Sequence, residues 1–456
     1  MASAPTAVVR GGPQRPGLRA SFAPLRVIEL RVFFAGQAVS LLGTWMQSTG
    51  QAWLVWRLTH STAALGTVGM FTFLPFLVLA PWAGTWADRW DRRRLLVWLQ
   101  VVAMLVAVVL ALLVQTHAVE VWHLYVSASV LGVVATLEMA SRPVFIGDLA
   151  GPQLLRRAIA LNSSMTQASR TVGPALAGVV IAAFGVASAF WFNAASFLAV
   201  IASLMFVHGP ARTGPPTDGD RHGFGEALSF LRGTAGLREL VVFSSLLTFF
   251  GMSAGNVFPA IAERVLHGHA ATLGWLLSSS GAGALVGALV CVPLVQNVQR
   301  VGLLAGGATI WAGAFLAAFS FSTWLPLSIA CLLLSGLAFP VVITTSVGML
   351  QLLGPQQMRA RLQSALLIVT FGIQPIAALA TGWSAGLLTA PIALRLNALL
   401  MIAGAGLLLG SRSSLREWRP DADAGVHPPQ VPPPTRTRSA HYPTAEHSHA
   451  PQRRNR

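Results

Sequence analysis

Lysine is absent from the 456 residues, so all 31 basic side chains are arginine. That excludes a Walker A lysine, a Schiff base to pyridoxal phosphate or retinal, and any other lysine chemistry. ATP hydrolysis through a P-loop of the chain's own goes with it. Cysteine is nearly as scarce. Cys291 and Cys331 both fall in apolar segments, where they read as small packing residues and imply no disulfide framework. Acids number only 15, and charges of both signs make up 10% of the chain, against about 25% in soluble domains. With 54% hydrophobic residues and a mean hydropathy of +0.63, this is a polytopic membrane protein. A net charge of +16 in a soluble protein would suggest nucleic acid. Here topology and anionic lipid account for the arginines, and no nucleic-acid partner is expected. Residues 1–31 hold five arginines and one acid, Glu29, so no cleavable signal peptide is read there.

What is there is long apolar sequence. Crossing a bilayer takes about 20 apolar residues. Twelve stretches qualify: 32–56, 63–83, 95–114, 121–143, 159–182, 187–207, 239–261, 271–295, 302–321, 324–347, 363–386 and 390–410. An even number returns both termini to one side, and the arginine-rich loops make that side the cytoplasm. The organisation expected is a cytoplasmic tail over 1–31, six helices over 32–207, a cytoplasmic loop over 208–238, six helices over 239–410 and a disordered tail over 411–456. His441, His447 and His449 in that tail read as solvated low-complexity sequence, and no metal site is expected. The halves echo each other. Gly151-Pro-Gln-Leu-Leu-Arg156-Arg157 follows span 4, and Gly354-Pro-Gln-Gln-Met-Arg359-Ala-Arg361 follows span 10.

The densest signal is Gly84-Thr-Trp-Ala-Asp88-Arg89-Trp90-Asp91-Arg92-Arg93-Arg94 between spans 2 and 3. Charges this crowded belong to a tight loop at the cytoplasmic surface. Asp88 is placed near the start of span 3, where a carboxylate suits the positive end of the helix dipole. The pattern resembles the signature loop of the major facilitator superfamily. Asp91 stands where that family usually has glycine, as in the branch of the enterobactin exporter and related drug-efflux proteins. Arg170-Thr-Val-Gly173-Pro174-Ala-Leu-Ala-Gly178 resembles the helix-bending motif of superfamily antiporters in span 5, with Ala177 in place of a second glycine. The resemblance implies an all-α membrane fold of twelve transmembrane helices in two pseudo-symmetric six-helix bundles. It also implies that spans 1, 4, 7 and 10 line a central cavity, that the charged loop latches the halves on the cytoplasmic side, and export rather than uptake.

Inside the membrane, Gln37, Ser40, Thr44, Gln47 and Gln51 share one face of span 1. They read as cavity wall or as interhelical hydrogen-bonding groups. Thr248, Met252 and Asn256 are their candidate counterparts in span 7. Glu138 and Arg142 stand four apart in span 4, acid first, the favourable order. Arg170 lies near mid-depth in span 5 and needs a partner, for which Glu138 is the nearest acid on the adjacent helix. Glu138 is read either as a protonatable coupling group or as half of a static ion pair. Few acids and a central arginine favour neutral or anionic substrates over cationic ones.

Gly251-Met-Ser253-Ala-Gly255 matches a nucleophile elbow but sits in an apolar helix, and Gly281-Ala-Gly283-Ala-Leu-Val-Gly287 misses the dinucleotide spacing. No enzyme is expected. The function expected is a monomeric secondary transporter of the bacterial inner membrane, exporting small amphiphilic drug-like or siderophore-like molecules by alternating access. It would be driven by the proton gradient, with no resident cofactor or metal. The alternatives are an importer or uniporter, and a transport-inactive sensor or scaffold.

Overall fold

The computed structural model describes residues 22–207, 221–295, 298 and 300–411. The expected tail over 411–456 falls outside the described residues apart from Ser411, as do the Gly-Pro run 209–216 and most of the loop 296–300. Among the described residues every regular element is helical. Ten stretches are long and apolar enough to cross a membrane. They correspond to eleven spans, because Val121–Phe184 is two helices parted at Gly151, whose φ of 65° suits glycine. The twelfth is Ile28–Thr59, whose glutamines and small polar residues lower its hydropathy.

The spans are thus span 1 (Ile28–Thr59), span 2 (Thr62–Arg89), span 3 (Arg92–Gln115), span 4 (121–150), span 5 (152–184) and span 6 (Val186–Phe206). A surface helix (Arg221–Gly233) then precedes span 7 (Gly236–Arg264), span 8 (Ala270–Val295), span 9 (Val301–Phe321), span 10 (Leu325–Leu353), span 11 (Arg361–Leu387) and span 12 (Ala390–Ser411). The expected boundaries lie close to these, except that spans 2 and 10 run on to Arg89 and Leu353 and that spans 4 and 5 run on to meet at Gly151. That glycine opens the echoed Gly-Pro sequence, and Gly354 closes span 10 at the equivalent place.

The halves differ in regularity. In the second half, span 7 widens into a π turn at Leu247–Met252 and tightens into a 3-10 turn at Ser253–Val257. Span 8 has a π turn at Gly287–Cys291. Span 10 breaks at Leu337, and span 11 at Gly372–Ile373.

Packing also differs between the two membrane faces. Toward the face away from the arginine-rich loops one core joins both halves, running from Trp53, Trp56 and Phe190 to Phe258, Leu273 and Leu394. Toward the arginine-rich face the cores are separate. One belongs to the first half, around Phe33, Phe145 and Phe197, and two to the second, around Phe243 and Leu362. The halves touch chiefly where span 5 crosses span 8 and span 2 crosses span 11.

Candidate functional site

The charged loop is held by helix ends. The Asp91 carboxylate accepts from the Arg94 backbone N–H at 2.8 Å and caps span 3. This corrects the expectation for Asp88, which lies in the last turn of span 2 and whose side chain is outside the described residues. The chain turns at Trp90, so Asp91 is the residue at the N-terminus of span 3. Arg92 pairs with Asp148 of span 4 at 3.0 Å, both largely buried. Arg93 donates to the Leu204 and Met205 carbonyls, each at 2.6 Å, covering orphan acceptors at the end of span 6. These bonds of Arg92 and Arg93 stay within the first six spans. Gly84 and Arg89 are exposed.

Glu138 accepts from the Arg142 guanidinium at 2.5 Å and from Gln100 of span 3. Both charged side chains are largely buried, at 14% and 16% exposure. The expected i,i+4 neighbours therefore meet, and Gln100, which the sequence did not single out, joins them. Arg170 does not join them. Its guanidinium lies between the rings of Trp45 in span 1, at 5.7 Å, and Phe339 in span 10, at 5.9 Å.

The polar stripe of span 1 splits. Gln37, Ser40, Gln47 and Gln51 are buried. Gln47 accepts from Asn193 of span 6 at 2.6 Å. Gln51 donates to the Leu124 carbonyl at 3.0 Å and to Ser127 at 3.3 Å, both in span 4. Gln47 and Gln51 therefore pack inside the first bundle in this state, and with Gln37 also buried none of the three forms an open cavity wall. The reason is that an uncharged amide finds its partners on the next helix. Thr44 and Ser48 of the same span are exposed. Thr248 is likewise buried, and its carbonyl accepts from Gln374 of span 11 at 2.9 Å. Met252 and Asn256 are half-buried. Asn256 abuts Gly69 of span 2, where a Cβ would come within 2.8 Å of its side-chain oxygen.

Gly173, Pro174 and Gly178 form contact surfaces. A Cβ at Gly173 would sit 2.5 Å from that of Trp45. One at Gly178 would sit 2.8 Å from Ala271 of span 8. Gly274 of span 8 faces Pro174 and Gly178 in return. The motif lets span 5 approach span 1 within its own half and span 8 across the seam.

Sequence reasoning missed a cluster at the face away from the arginine-rich loops. The Trp56 indole N–H of span 1 donates to Glu263 of span 7, with Arg57 3.8 Å from the same carboxylate. Arg264 donates to the His60 carbonyl at 3.1 Å and lies over the Trp56 ring at 4.7 Å. The available signal was pseudo-symmetry: Trp56-Arg57 and Glu263-Arg264 end equivalent spans of the two halves.

Comparison with known proteins places this geometry in context. The family model described as "Transmembrane secretion effector" matches residues 19–439. The chain is 24% identical to the Staphyloferrin A transporter of Staphylococcus aureus over 60% of this chain and 69% of that protein. It is 26% identical to the multidrug efflux pump Tap of Mycolicibacterium fortuitum over 76% and 88%. It is also 26% identical to the enterobactin exporter EntS of Citrobacter koseri over 73% and 79%. Among solved structures, the nucleoside transporter NupG superposes with a TM-score of 0.64 at 13% identity, covering 84% of this chain and 98% of that one.

Proposed function

The chain belongs to the major facilitator superfamily, in its transmembrane secretion effector family, and from that membership we propose that it exports small amphiphilic molecules in exchange for protons. It acts as a multi-pass monomer in the bacterial inner membrane, with both termini in the cytoplasm. No resident cofactor takes part.

The observation that carries this reading is the asymmetry of packing. The halves share one core at the outer face and keep separate cores at the arginine-rich face. That is the arrangement of a transporter closed to the outside and ready to load from within. Alternating access then consists of parting the outer core and bringing the inner ones together. Export is favoured because relatives are named as efflux pumps and as an exporter. Glu138 is the coupling group in this reading. It is an intramembrane carboxylate with one cationic and one neutral partner, so a proton can displace Arg142 without leaving the site empty of hydrogen bonds.

Accumulation of amphiphiles in energised inverted vesicles, with and without a protonophore, tests the proposal. Uptake that collapses with the protonophore is expected. Uptake indifferent to it would remove proton coupling and leave a facilitator.

A further inference from the structure

Four acids among the described residues each have an arginine partner. Glu138 has Arg142, Asp148 has Arg92, Glu239 has Arg238 and Glu263 has Arg57. Arg170 breaks the pattern. Among the described residues it has no carboxylate and no hydrogen bond, only the faces of Trp45 and Phe339. It stands 14 residues before Phe184, the outer end of span 5, about 21 Å along the helix. A cation at that depth is expensive and is normally matched by an opposite charge. Two aromatic quadrupoles compensate it in part.

The position adds direction. The side chain is half-buried, and its nitrogens are not among the sealed, unpartnered atoms. One residue on, Thr171 meets Gly281 of span 8, so Arg170 sits beside the contact between the halves. Its two rings come from opposite halves. Thr44 and Ser48, exposed on either side of Trp45 in sequence, are polar groups at similar depth that suit water better than lipid.

We propose that Arg170 is the head-group site for an organic anion. A carboxylate or similar group takes two of the five guanidinium N–H donors in fork geometry, and the apolar body of the ligand lies against Trp45 and Phe339. The anion replaces the missing counter-ion. Because the rings belong to different halves, it binds both at once. This deepens the exporter reading by giving its substrate a charge, but binding itself stands without that reading. An amphiphilic solute and an anionic lipid share this chemistry.

The test uses the full chain in phosphatidylcholine nanodiscs and three probes with one ring system: 1-pyrenebutyrate, 1-pyrenebutanol and 1-pyrenebutylammonium. Fluorescence anisotropy gives each affinity. Wild type is expected to bind the butyrate roughly tenfold or more tighter than the alcohol. Arg170→Gln should abolish that preference while leaving alcohol affinity within about twofold, and Arg170→Lys should keep part of it. Should Arg170→Gln fail to fold, salt titration of wild type decides. Butyrate binding weakens with sodium chloride if charge holds it, and alcohol binding does not. Equal affinities in wild type, equal loss of both probes in Arg170→Gln, or no saturable butyrate binding would overturn the proposal. Repeating the measurement with phosphatidylglycerol separates the sources, since weakened butyrate binding there makes lipid the natural occupant. Anion-selective binding without protonophore-sensitive accumulation in inverted vesicles would defeat the exporter reading alone. Accumulation of alcohol and butyrate alike, with no effect of Arg170→Gln, would defeat the anion site alone.

Discussion

The indole N–H of Trp56 and the carboxylate of Glu263 join the outer ends of spans 1 and 7 across the seam between the halves. Arg57 and Arg264 flank the pair, and Trp56 itself is fully buried. In the proposed export cycle this bond breaks each time that face of the protein opens. Trp56→Phe or Glu263→Gln should therefore enrich the outward-open state. A hydrogen bond to a charged group, discounted for the partial exposure of Glu263, contributes about 1 kcal/mol, or roughly fivefold in population. Spin-label distances between the outer turns at 60–61 and 266–268 report it, with both native cysteines replaced. An unchanged distance distribution would count against the clasp.

The Glu138–Arg142 pair separates stability from coupling. Arg142→Gln leaves a largely buried carboxylate with Gln100 alone. The cost should approach 3 kcal/mol, visible as a lower melting temperature by fluorescence-detected size exclusion. The double change Glu138→Gln with Arg142→Gln should recover most of it. If Glu138 carries the proton, Glu138→Gln also flattens the pH dependence of efflux. A variant with normal efflux and a normal pH profile would leave the pair purely structural.

The crossing of spans 5 and 8 is predicted to tolerate no added bulk. A Cβ at Gly274 would come within 2.4 Å of the Pro174 carbonyl, and backbone cannot yield as a side chain can. Gly274→Ala should insert and express normally, because one added methyl group keeps the span apolar, yet lose most transport. Overpacking of this kind costs about 1–3 kcal/mol. Gly255, with open space around it, is the control, and Gly255→Ala should transport as wild type.

Capping by Asp91 explains why this loop accepts either aspartate or the glycine usual in the superfamily. Both are good residues before a helix, so Asp91→Gly should cost only a few tenths of a kcal/mol and Asp91→Ala about 1. Amide exchange at 92–95 measures it. Equal protection in all three proteins would remove the cap from the account.

Much of this was legible in the sequence, for stated reasons. Span positions follow from hydropathy, a local property, and the superfamily resemblance followed from a loop of contiguous residues. The i,i+4 spacing of Glu138 and Arg142 fixes their proximity for any helix. The period of the span 1 stripe identified a face but not what that face meets, so Gln47 and Gln51 read equally well as cavity or as partners for Asn193 and Ser127. Asp88 alone was read near the start of span 3, and the turn at Trp90 puts Asp91 there instead. Glu263 and Trp56 are 207 residues apart, and in sequence only the pseudo-symmetry of the halves, which sets them at the ends of equivalent spans, links them. The rings around Arg170 come from spans 1 and 10, again a fact of packing.

The uneven seam has an electrical consequence. Voltage across a membrane falls where the medium is insulating. A core shared by both halves at the outer face, with separate cores beneath it, concentrates that drop outside Arg170. Moving one charge through a full potential is worth about 2.3 kcal/mol per 100 mV. Once the outer core parts and the inner ones close, the drop moves to the other side of Arg170. Over a full cycle of the proposed export, an anion carried out of a cell that is negative inside therefore runs down the field in the change of access itself and not in its departure from Arg170.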